Sequence, residues 1–99
     1  MTVRRTLLCD LPYVLDGANR KKYSIRMHSE AFTLSAHFDE LAVDSVLGVL
    51  YLMANDGNTL AFWCVSKVEL EEHGDHTIIR IFTNPIEDSQ KYIYEVRAD

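Results

Sequence analysis

Apolar and polar residues alternate with period two in several separate stretches of the chain, the pattern of half-buried antiparallel strands. Tyr23, Ile25 and Met27 alternate with Lys22, Ser24, Arg26 and His28. Phe32, Leu34, Ala36 and Phe38 alternate with Ala31, Thr33, Ser35 and His37. A tight connection at Ser29-Glu30 would pair these runs as a hairpin whose polar face holds Lys22, Arg26, His28 and His37.

Further along, an apolar run over Val46–Ala54 reaches the string Asn55-Asp56-Gly57-Asn58. These residues tolerate positive φ, which tight hairpin turns demand and β-branched residues refuse. The strand that follows, 59–71, changes character midway. Leu60, Phe62, Cys64, Val68 and Leu70 define one apolar face, while the opposite face passes from Thr59, Ala61, Trp63 and Val65 to Lys67, Glu69 and Glu71. Strands at 76–83 and 91–97 complete the set, separated by the turn signal Asn84-Pro85.

Two stretches read less cleanly. Thr6–Leu15 is apolar, but Pro12 is foreign to a central strand, so the expectation is an edge strand or an irregular arm. Asp39-Glu40-Leu41-Ala42-Val43-Asp44 could open a helix, whereas Gly48 counts against a helix and Val46, Val49 and Tyr51 favour a strand over 46–54. The pattern as a whole predicts a mainly β fold: one small antiparallel barrel or sandwich of about six strands. A short helix near residues 38–44 is allowed, with α+β as the alternative class.

Composition changes this picture little. The 99 residues are 47% apolar and 25% charged, enough for the core of a single domain spanning residues 1–99 and too few for two. The longest uncharged apolar run is about half what a membrane-spanning helix needs. Asp10 and Pro12 break the apolar segment near the N-terminus, so a secretory signal is not expected. Cys9 and Cys64 have neither a CxxC spacing nor a disulfide-rich context, and two buried, reduced thiols in a cytoplasmic protein are the expectation.

Charge is unevenly spread. Residues 1–30 carry six Lys/Arg against three Asp/Glu, and residues 31–99 carry four against twelve, within a net charge of −5. The simplest arrangement intersperses these charges in space; the alternative gathers Glu69, Glu71, Glu72, Asp75, Glu87 and Asp88 on one acidic face. Arg20-Lys21-Lys22 with Arg26, beside Tyr23, has the basic and aromatic mix of single-strand nucleic-acid grooves, but Tyr23 belongs to the core face and an acidic chain is repelled by phosphate.

Chemistry is sparse. His73-Gly74-Asp75-His76 offers two imidazoles, short of the three or four converging ligands that zinc requires, so neither metal nor cofactor is expected. No GxSxG, HExxH or glycine-rich phosphate loop occurs. Tyr51, Trp63 and Val65 are apolar residues that the pattern does not bury in one core, which makes them a candidate contact surface. The expected function is that of a small acidic, non-enzymatic protein-binding module acting through a β-sheet surface. An adaptor, an immunity-type protein or a mobile-element inhibitor of a host complex would fit. Nucleic-acid binding through residues 20–26 is the alternative, and a homodimer is compatible with either.

Overall fold

The computed structural model describes residues 2–27, 37–83 and 92–99. Among them, the strands are β1 (Thr2–Thr6), β2 (Tyr23–Met27), β3 (His37–Phe38), β4 (Glu40–Asp44), β5 (Val49–Met53), β6 (Thr59–Phe62), β7 (Val65–Glu72), β8 (Thr77–Thr83) and β9 (Tyr92–Ala98). One α-helix, α1, spans Leu11–Gly17 after a 3-10 turn at Leu8–Asp10. The strands form two antiparallel sheets: a large one in the order β1-β7-β8-β9-β2-β3 and a small one in the order β4-β5-β6. The mainly β expectation holds as a two-sheet arrangement; the sheets do not close into a barrel.

Alternation sets which face of each strand is buried. Across the large sheet the register aligns Leu70, Ile79, Val96 and Ile25 in one row, and Val68 with Ile81 and Tyr94 in the next. These residues join Leu50 and Leu52 of β5 and Phe62 of β6 in a single core cluster, with the Phe62 and Tyr94 rings 5.1 Å apart. Each large aliphatic side chain buried in that layer stabilises the fold by about 1.5–3 kcal/mol.

Four sequence expectations are corrected. Residues 38–44 are not helical: Phe38 pairs with Tyr23, and Glu40–Asp44 pairs along β5. Leu41 and Val43 pack on the core while Ala42 points away, so period two prevails over the helix-like acidic start. The helix lies instead in the stretch expected to be an edge strand or arm. Pro12 falls in its first turn, where a missing N–H costs nothing. Its seven residues are too few to be stable alone, but Leu11 and Leu15, one helical turn apart, are fully buried. Asn19, in the left-handed region at φ 59°, ends it.

The third correction concerns 59–71, which is two strands in different sheets. The chain leaves the small sheet after Phe62 and enters the large one at Val65, turning at Trp63-Cys64, where Cys64 has φ 57°. The expected strand over 46–54 is likewise shorter, because Ser45–Gly48 forms a turn before β5. The turn at Asn55–Asn58 forms as expected: Gly57 has φ 94°, and the Ala54 N–H donates to the Asn58 carbonyl at 2.8 Å. The connection at Ser29-Glu30, the face holding Phe32, Leu34 and Ala36, and the turn at Asn84-Pro85 lie outside the described residues.

Candidate functional site

The side of the large sheet that faces away from the core interleaves opposite charges. The register row through its middle reads Arg5, Glu69, Arg80, Glu95, with Arg26 at the position beyond. The Arg80 guanidinium donates to Glu71 Oε2 at 2.6 Å and to Glu95 Oε1 at 3.2 Å. The bond to Glu71 leads in holding the Arg80 charge more firmly than usual, against the opposing desolvation. Lys67 Nζ sits 3.2 Å from Glu69 and 4.1 Å from the centre of the Phe82 ring. Glu72 is on the opposite face and pairs with Arg4 at 2.7 Å. Asp75 is on the β7–β8 turn, its carboxyl held below the ordinary carboxylate range chiefly by the hydrogen bond to His76 Nδ1 at 2.6 Å. Thus Glu69 and Glu71 share one face with their cations, Glu72 and Asp75 lie elsewhere, and Glu87 and Asp88 are outside the described residues.

The basic segment is divided too. Arg20 is a tether: its guanidinium donates to Thr77 Oγ1 at 3.2 Å and to the His73 carbonyl at 2.9 Å, tying the segment after α1 to the β7–β8 turn. Tyr23 is buried, as its alternation requires, and its hydroxyl donates to the Arg20 carbonyl. Burial foremost, and Asp16 after it, push that hydroxyl above the ordinary tyrosine range. Lys21 and Lys22 are exposed, while their N–H groups both donate to the Asp99 carbonyl. Arg26 has a place in β2 opposite Glu95.

His73 and His76 stack face to face, centroids 4.4 Å apart and planes 9° from parallel. Stacked rings direct their nitrogens outward in parallel planes and do not converge on one point. Among the described residues, no group of three or more His, Cys, Asp or Glu side chains is placed to hold a metal ion. Nor is any helix there long and apolar enough to cross a membrane. Both cysteines are free, but neither has the burial expected: Cys9 is exposed and Cys64 half-buried.

The apolar candidates separate as well. Val65 packs against the core cluster. Tyr51 is half-exposed on the outward side of the small sheet, in register between Ala42 and Ala61. Trp63 is 60% exposed at the crossing between the sheets, beside two residues that the sequence pattern did not single out, Val46 at 92% and Leu47 at 62%. The Val65 N–H donates to the Gly48 carbonyl at 2.9 Å, which draws the 45–48 turn against the Trp63-Cys64 crossing. Three large, exposed apolar side chains thereby stand on two backbone segments that this bond joins. The 46–54 run hid the first two, since an unbroken apolar stretch reads as strand. Asp44 followed four residues later by Gly48 was the available turn signal: Asp44 Oδ1 accepts the N–H groups of Val46 and Leu47 at 3.1 and 3.0 Å, and Gly48 has φ 69°. Compared with known proteins, the chain matches no family model, no curated sequence and no solved structure.

Proposed function

We propose that this chain is a non-enzymatic protein-binding module that seats the Val46, Leu47 and Trp63 side chains in an apolar recess of a larger partner. The observation that carries the reading is that these three exposed side chains stand on two backbone segments joined by the Gly48–Val65 hydrogen bond. Isolated exposed apolar residues are ordinary on protein surfaces, whereas a contiguous group of them marks a contact region. Tryptophan is the most frequent dominant anchor in such regions, and truncating an anchor costs about 2 kcal/mol or more of binding. The acidic residues, being interleaved with Lys67, Arg80 and Arg4, serve this reading as a solubilising surface and supply no docking face of their own.

The test is a tagged pull-down from native lysate, with and without nuclease, comparing the natural chain with a Trp63→Ala/Leu47→Ser variant. A protein partner that survives nuclease and is lost by the variant is the expected result. Loss of every partner on nuclease treatment, together with sensitivity to Lys21→Glu/Lys22→Glu, would overturn the reading in favour of nucleic-acid binding. A partner retained at full strength by the Trp63→Ala/Leu47→Ser variant would equally overturn it.

A further inference from the structure

Every strand at the rim of a sheet leaves one side of its backbone without a ladder, and proteins normally shorten, cover or charge such edges. Here β1 and β3 end the large sheet, and β4 and β6 end the small one. Helix α1 and the 3-10 turn pack against β4. Among the described residues β3 is two residues long, His37–Phe38, and β6 is a four-residue strand whose Phe62 ring turns into the core. β1 is different. It is paired on one side along all five of its residues, and among the described residues nothing bonds to the backbone on its other side. Val3, Arg4 and Arg5 are exposed.

Beside that edge runs a cleft of about 550 Å³ whose walls include Arg4, Arg5, Asp10, Val14 and two exposed side chains, Leu7 at 67% and Tyr13 at 78%. Arg4 is paired with Glu72. Arg5 stands opposite Glu69 in register, yet Glu69 is taken by Lys67, so Arg5 has no ion pair among the described residues.

We propose that the free edge of β1 accepts an extended acidic peptide segment of another protein as an added strand, with alternate apolar side chains lying against Leu7 and Tyr13 in the cleft. Strand addition takes its affinity from main-chain hydrogen bonds and its selectivity from side-chain positions flanking the edge. Charge decides between candidate occupants. A second copy of this chain, pairing antiparallel about the middle of β1, would set Arg4 against Arg4, and like charges directly opposite destabilise a strand pair. A segment carrying glutamate or aspartate meets the unpaired Arg5 instead. The proposal uses none of Val46, Leu47 and Trp63, so the failure of either reading leaves the other standing.

The test titrates the isotope-labelled full chain with an acetylated octapeptide alternating valine and glutamate, and with its twin carrying lysine for each glutamate. Amide hydrogen exchange is read residue by residue. The expected result is new protection, confined to the N–H groups of Thr2–Thr6 that point away from β7, with the glutamate peptide and not with the lysine twin. Arg5→Ala should weaken the glutamate peptide about two- to fivefold, the worth of one exposed ion pair, and Trp63→Ala should leave it unchanged. Three results overturn the proposal: no protection of β1 up to about 1 mM peptide, the weakest binding worth calling specific; protection located on another edge; or equal protection by both peptides. In the first case the arginines of β1 act only as a guard against pairing.

Discussion

The two hairpin turns of the small sheet lie at opposite ends of the same strand, β5, and close by the same means. In each, an aspartate carboxylate accepts main-chain N–H, two groups at Asp44 and one at Asp56, and a glycine takes up positive φ: Gly48 at one end, Gly57 at the other. Their remaining residues differ completely. Asn55 and Asn58 are polar and engaged, Asn55 through its N–H to Asp39 Oδ2 and Asn58 through its side chain to Asp56 Oδ2. Val46 and Leu47 offer solvent two aliphatic side chains that the turn geometry does not need. Where the backbone requirement is met by Asp44 and Gly48, the identity of the residues between them is free to answer to something else. That freedom is why the apolar end, and not the charged sheet face, is the better candidate for contact.

The comparison can be broken most forcefully from the strand the turns share. Leu50→Ala removes a fully buried side chain, and the whole fold should lose about 2–5 kcal/mol of stability in urea denaturation. Both turns should then lose exchange protection together; protection surviving at one end alone would show that they are not supported by one core. Next come the glycines. Gly48→Ala and Gly57→Ala each put a Cβ in the left-handed region, where crowding is not the issue, since at Gly48 it would meet the Val65 carbonyl oxygen at 3.8 Å and the Val65 nitrogen at 4.0 Å, and at Gly57 nothing within 4 Å. Each should cost about 1–2 kcal/mol, and similar values would confirm that the turns are equivalent as backbone.

A smaller effect is expected from Asp44→Ala, which leaves two N–H groups to water and should cost about 1 kcal/mol by the same denaturation measurement. The least effect on stability should come from Val46→Ser with Leu47→Ser, within about 0.5 kcal/mol of the natural chain, although these two changes should abolish partner capture. A large loss of stability there would mean that the side chains serve the fold after all, and the contrast between the turns would vanish.

How much of this could be read from the chain depended on whether a residue's neighbours in sequence were also its neighbours in space. The core faces of β2 and β7, Tyr23 with Ile25 and Val68 with Leu70, were legible because alternation persists over each strand, and the Asn55–Asn58 turn because glycine and asparagine have few other uses in such a string. The helix at Leu11–Gly17 was not, since seven residues span only two turns and Pro12 suits a helix start as well as it spoils a strand. The sheet crossing at Trp63-Cys64 has neither glycine nor proline to announce it; the only trace was the switch from apolar on both sides before it to half-exposed after it. For the site, the same switch left Trp63 without an obvious burial partner, while the exposure of Val46 and Leu47 disappeared into a run that looked continuous. The alternating charges of the large sheet could not be foreseen at all, because Arg5, Glu69, Arg80 and Glu95 become neighbours only once the register exists.

The order of the strands also prescribes a sequence in time. The hairpins β4–β5–β6 and β7–β8 close between strands adjacent in the chain, so their loops cost little entropy and can zip early. β1 and β2 must wait, because bringing Thr6 to Val68, or Ile25 to Val96, closes a loop that contains most of the protein. Strand β1 therefore pairs late, and its exposed edge is expected to open ahead of the core strands in the native state. Anything that adds a strand to β1 would act as a latch on that edge, lengthening its closed lifetime without touching the core.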